Sequence, residues 1–228
     1  MRKLASIQCV EKASGDSEAP WIVLFHGFGA DAYDLSGLSD AFQTPVECNW
    51  LFPQGPMEVP IGPGWTGRAW WPISLAAFEA LQSQGKAADL SQVVPEGLPS
   101  ARQKVMNMIE AMNVPWSNIV LGGFSQGAML ATDVYLHAPS KPRGLLALSG
   151  ALINAGEWRA LAKNRAGEKF FQSHGANDPV LSIRGAQQLE TLLTQSGMKG
   201  RLFNFQGNHE INLDVVAKAN DYLKEILS

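Results

Sequence analysis

Short apolar runs recur along the chain at residues 21–25, 50–52, 119–121, 145–148, 170–171 and 202–205, each bounded by glycine, proline or polar turns. Continuous apolar runs of this length suit strands buried on both faces, as in a parallel sheet. Between several of them the period changes to that of a helix. Over 100–113, Val105, Met108, Ile109 and Met112 fall on one helical face. Ser100 with Gln103 makes a capping-box pattern at its start, just after Pro99. Over 183–196, Ile183, Ala186, Leu189, Leu192 and Leu193 repeat the spacing, and Gly197 ends it. Over 212–227, Val215, Val216, Ala219, Tyr222, Leu223, Ile226 and Leu227 predict a final packing helix. This strand–helix alternation predicts an α/β fold with a mostly parallel sheet.

Residues 53–99 break the rhythm. They are rich in proline and glycine, hold Trp65, Trp70 and Trp71, and contain one helical stretch at about 74–83. Loops this long in a compact domain are usually functional. An ordered excursion over one edge of the sheet is expected.

Composition narrows the class. Of 228 residues, 46% are hydrophobic and 17% charged, enough apolar side chain for a core that needs no metal or disulfide. The net charge is −3 with no Lys/Arg cluster, which argues against nucleic acid as a partner. Cys9 and Cys48 are isolated, lack metal-ligand spacing and suit a reducing, cytoplasmic setting. The first residues carry positive charge without an apolar segment behind them, and no stretch reaches membrane-spanning length, so neither a secretory signal nor a membrane span is expected.

The chemistry is concentrated at Gly123-Phe124-Ser125-Gln126-Gly127. An apolar run precedes this G-x-S-x-G and a helical segment follows. A serine in a tight strand-to-helix turn projects its hydroxyl above a sheet, and the crowding there requires small residues two positions away on either side. The hydroxyl is a weak nucleophile without a base. In this arrangement the acid and then the histidine follow later in the chain, each after a strand. His137 lies inside the helix after Ser125, His26 precedes the serine, and His174 sits at a strand end, where it would brace the acid loop. His209 alone follows a candidate acid. Asp178, in the loop after 170–171, is preferred to Asn177, Asp133, Glu210 and Asp214, because the last two share a segment with His209. Stabilising an oxyanion takes two N–H donors. Gln126, directly after the serine, supplies one. Phe28, between Gly27 and Gly29 after the first apolar run, supplies the other.

With HGFGAD at 26–31, GFSQG at 123–127, HGANDPV at 174–180 and GNHE at 207–210, the chain resembles the phospholipase/carboxylesterase family of α/β-hydrolases, which includes bacterial carboxylesterases and acyl-protein thioesterases. The resemblance implies a single-domain α/β-hydrolase over 1–228, with helices on both faces of the sheet and no large cap domain. It implies Ser125, Asp178 and His209 as the catalytic triad and Phe28 and Gln126 as oxyanion donors. It also implies that 67–73 lines the acyl or alcohol pocket. Family members often carry an aromatic followed by Asp-Ile there; Trp71-Pro72-Ile73 replaces it here and makes the pocket more apolar.

Candidate pocket walls are Trp65, Trp70, Trp71, Phe78 and Val180. A chain too short for a cap implies a shallow, open apolar cleft that favours short- to medium-chain carboxylic esters over bulky lipid. No metal or organic cofactor is required by this chemistry. The expected partner is a small ester or thioester substrate, and exposed tryptophans in 53–99 have a second reading as a homodimer surface. Lysophospholipase, acyl-protein thioesterase, peptidase and a non-catalytic binding module on the same fold remain open alternatives at this point.

Overall fold

A computed structural model describes residues 1–73 and 89–228. The chain begins with β1 (Arg2–Leu4), β2 (Ile7–Lys12) and β3 (Trp21–Phe25), then a short helix α1 (Leu38–Ala41) and β4 (Asn49–Pro53). A hairpin of β5 (Met57–Gly62) and β6 (Trp65–Ala69) stands apart as its own two-stranded sheet. The remainder alternates: α2 (Leu98–Met112), β7 (Ile119–Phe124), α3 (Gln126–His137), β8 (Gly144–Leu148), α4 (Ala155–Ala162), β9 (Lys169–Gly175), α5 (Ile183–Gln195), β10 (Lys199–Phe205) and α6 (Leu213–Leu227).

Eight strands form the main sheet in the order β1-β2-β4-β3-β7-β8-β9-β10. β1 and β2 pair antiparallel, β2 pairs antiparallel with β4, and every other pairing is parallel. Side chains alternate between two buried layers. Val23, Phe25, Leu121 and Leu145 join α2 to α5 on one face, and Ile22, Leu24, Val120 and Leu146 join α6 on the other. That is why the strands read as continuous apolar runs. Both cysteines are free and buried, in keeping with a packing role.

All the strands expected from apolar runs form, each one to four residues longer at one or both ends except β3. β1 and β2 carry too many charges to show as apolar runs. The helix expected from Ser100 begins earlier, with Gly97 as its N-cap and Pro99 inside its first turn, so the Ser100–Gln103 capping box does not form. Asn212 does cap α6, its side chain accepting the Val215 N–H at 3.0 Å. The helix expected at about 74–83 lies outside the described residues.

Two glycines set how closely α3 approaches the sheet. A Cβ on Gly127 would lie 2.0 Å from the Phe25 carbonyl oxygen, and one on Gly123 would lie 2.5 Å from the Gly127 backbone. Neither contact can relax without moving backbone. Gly156, in α4, has nothing within 4 Å of a built Cβ. The same substitution therefore has opposite outcomes. Gly127→Ala should destabilise by about 2–3 kcal/mol or more through overpacking. Gly156→Ala should stabilise by about 0.5–1 kcal/mol through helix propensity. Urea unfolding midpoints of the two variants check both signs.

Candidate active site

β7 meets α3 at Ser125, whose backbone takes φ 55° and ψ −118°. This is the left-handed side of the map, uncommon for a residue with a side chain. The Ser125 N–H donates to the Leu148 carbonyl on β8 at 2.9 Å, which ties the turn to the sheet. Gln126 opens α3, so its N–H has no helical carbonyl four residues upstream to bond. Positive potential from the helix N-terminus converges at the same point.

The loops after β9 and β10 are stitched together. Ala176 N–H donates to Phe205 O at 2.8 Å and Asn177 N–H to Gly207 O at 3.0 Å. The pairing brings Asp178 and His209 into contact, with His209 Nδ1 2.6 Å from Asp178 Oδ2. The other carboxylate oxygen accepts the Val180 and Leu181 N–H groups at 2.7 and 2.9 Å. His174 is wholly buried and adds a third tie, with Nε2 at 3.2 Å from Asp178 Oδ2 and 2.8 Å from Leu181 O. It braces the acid loop. The Asp178 side chain has 0% exposure. Burial alone would raise its pKa. The hydrogen bonds from His174, His209 and Leu181 outweigh that and hold the carboxyl well below the usual carboxylate range. An ionised Asp178 fixes the proton of His209 on Nδ1 and leaves Nε2 free to act as a base. The His209 ring packs on Phe124, the neighbour of Ser125, with centroids 4.7 Å apart.

Ser125 and His209 both line a cavity of about 650 Å³. Phe28 and Gln126 line it too, as do Trp71 and Val180. Of the remaining expected wall residues, two are corrected. Trp65 is 73% exposed on β6 and outside the cavity, because it points from the hairpin into solvent. Trp70 is buried beneath the cavity rather than lining it. Its indole N–H donates to His26 O at 2.9 Å and its ring meets Phe25 edge-on. Phe78 lies outside the described residues. Within 67–73, only Trp71, Pro72 and Ile73 reach the cavity. Gly67 packs instead on Gly29, and Arg68 exchanges backbone hydrogen bonds with Gly29 and Ala30. The cleft is also less shallow than expected: its walls descend to the buried Met129, Ile153 and Leu181.

Several contributors were invisible in the linear sequence. The Gln126 side chain accepts the Trp70 N–H at 3.0 Å and donates to Trp71 O at 2.9 Å, anchoring the tryptophan segment to the start of α3. Residues 90–96 form another wall, held by Asn154 N–H to Val93 O and Ala155 N–H to Ser91 O at 2.9 and 2.7 Å. An aperiodic segment with two adjacent valines offered no signal for that role.

Away from the cavity, Asp133, His137 and Glu157 gather ligand atoms within 4.8 Å of one another. The Arg102 guanidinium already sits there, 3.0 Å from Asp133 and 2.7 Å from His137 Nε2, and supplies the positive charge that a metal would.

His26 orders the loop that carries Phe28. Its Nε2 accepts the Gly55 N–H at 2.9 Å and its Nδ1 donates to Gly27 O at 2.7 Å, a pairing that requires the neutral ring. Burial lowers its pKa below 6.5, partly opposed by the Gly27 carbonyl. As pH falls through 6.5, the unfolded chain takes up a proton that the native ring resists, so stability declines until the lower folded value is passed. The stability advantage of the wild type over His26→Asn should therefore shrink between pH 7.5 and 5, by at most about 1.4 kcal/mol per pH unit. Urea titrations at each pH measure it.

A family model described as Phospholipase/Carboxylesterase matches residues 6–227. Acyl-protein thioesterase 1 of Candida albicans is 28% identical over 94% of this chain and 95% of its own length. Acyl-protein thioesterase 1 of Eremothecium gossypii is 26% identical over 89% and 86%. Among solved structures, esterase PE8 superposes with a TM-score of 0.76 at 25% identity, covering 99% of this chain and all of that one. The Bacillus cereus carboxylesterase shares the fold at 19% identity, with a TM-score of 0.70 over 96% and 94% of the two chains. Among the described residues, no helix is long and apolar enough to cross a membrane.

Proposed function

Because the chain belongs to the phospholipase/carboxylesterase family, a hydrolase family with esterase and thioesterase members, we propose that it is a serine hydrolase of short- to medium-chain carboxylic esters. The observation that carries this reading is the 2.6 Å bond to a buried, ionised Asp178 from His209, which lines the cavity that also holds Ser125.

In this mechanism Ser125 Oγ attacks the ester carbonyl carbon while His209 Nε2 takes its proton. The carbonyl π electrons move to oxygen, and the N–H groups of Phe28 and Gln126 receive the resulting oxyanion. Asp178 stabilises the imidazolium without taking its proton. Collapse of the tetrahedral intermediate breaks the bond to the alcohol oxygen, which leaves with the proton from His209. Water then attacks the acyl-enzyme by the same route, returning the proton to Ser125 and releasing the acid. The apolar walls, Trp71, Ile73, Met129 and Ile153, suit an aliphatic acyl chain.

A thioesterase reading uses the same residues and is favoured by the names of the Candida and Eremothecium relatives. Matched oxygen and sulfur esters of one acyl chain separate the two.

Ser125→Ala should lower hydrolysis of p-nitrophenyl esters by at least about 10³-fold and abolish labelling by a fluorophosphonate. Full activity in that variant removes the serine mechanism. Asp178→Asn should lower kcat by about 10³–10⁴-fold with little change in KM, since the wrong imidazole tautomer would be held. An acyl series from acetate to palmitate should rise to the medium-chain members and then decline.

A further inference from the structure

Among the described residues, the cavity wall carries two carboxylates and no lysine or arginine. Asp34 comes from the turn after the Phe28 loop, and its own N–H donates to Asp31 O at 3.2 Å. Glu96 comes from the 90–96 wall that is held by the start of α4. Neither carboxylate has an ion-pair or hydrogen-bond partner among the described residues. Asp34 is exposed, and partial desolvation of its carboxyl, with repulsion from Asp31, pushes it above its ordinary 3.8, the behaviour of an acid lacking a counter-charge.

Apart from Ser125, Gln126 and His209, the remaining described lining is apolar, with Trp71, Ile73, Leu90, Val93, Met129 and Ile153 among it. Low-dielectric walls focus the field of the few charges present into the cleft. Two acids on separate segments therefore bias the whole mouth of the cavity toward positive charge without a specific contact geometry.

We propose that Asp34 and Glu96 make this site selective for esters whose alcohol portion carries a positive charge, and that they disfavour anionic alcohol portions. The proposal rests on the hydrolase reading above. It assigns a substrate class that neither the apolar walls nor the serine mechanism defines.

Butyrylcholine, its uncharged carbon isostere 3,3-dimethylbutyl butyrate and anionic 3-sulfopropyl butyrate share one acyl group and differ chiefly in charge. At low salt, kcat/KM should fall in that order, with the cationic ester preferred to the neutral one by about five- to tenfold. The ratio should contract in 0.5 M NaCl, where charges at the cavity mouth are screened. In Asp34→Asn/Glu96→Gln it should approach one, a comparison made within the variant and so independent of its absolute rate. Ordinary hydrolysis of the neutral ester with a cationic-to-neutral ratio of one or less overturns the selectivity and leaves the hydrolase reading intact. A ratio unchanged in the double variant overturns its assignment to these carboxylates. No turnover of any of the three esters, together with no fluorophosphonate labelling of Ser125, overturns the hydrolase reading and this proposal with it.

Discussion

The backbone of α3 lies against the carbonyl end of β3, with Gly127 so near Phe25 O that one methyl group would collide. The positive φ at Ser125 follows from that approach: β7 must turn into α3 within one residue while staying in register with β8. A single residue then carries a strained backbone, which the surrounding layers of buried side chains hold in place. Every residue of α3 from Gln126 to Leu136 is buried, so the helix cannot slide to relieve the turn.

Rigidity at the serine is matched by mutual bracing of the loops around it. The acid loop and the histidine loop share backbone hydrogen bonds, and His174 and two N–H groups hold the carboxylate. The Phe28 loop is bonded to the β5–β6 hairpin through Arg68 and tied by Trp70 to the Gln126 side chain. The excursion after β4 thus serves as scaffold as much as wall. Of its three tryptophans, one faces the cavity, one lies under the Phe28 loop and one faces water.

Two kinds of electrostatics coexist in a small space. Beside His209, the carboxylate of Asp178 is buried and saturated with donors, so its charge is committed to that ring. At the mouth, Asp34 and Glu96 lack such donors among the described residues, so their charge acts on whatever enters. The contrast arises from burial and hydrogen bonding, since all three are ordinary carboxylates.

Periodicity along the chain already marked the parallel core strands and three long helices, because strands buried on both faces must be apolar throughout and surface helices must be striped. The placing of Ser125, Asp178 and His209 each in the turn after a strand was likewise legible, since each motif is local: glycines flanking Ser125, and turn residues around Asp178 and His209. Three things required the folded chain. Trp65, Trp70 and Trp71 look equivalent in sequence; the pairing of β5 with β6 places Trp65 on the hairpin, whereas hydrogen bonds with His26 and Gln126 fix Trp70 and Trp71. The Gln126 side chain bonds residues 55 and 56 positions away, a separation no local pattern encodes. Charge at the cavity mouth depends on which carboxylates converge there and which are already bonded. Local chemistry follows from neighbours in the chain, whereas walls, tethers and fields follow from neighbours in space.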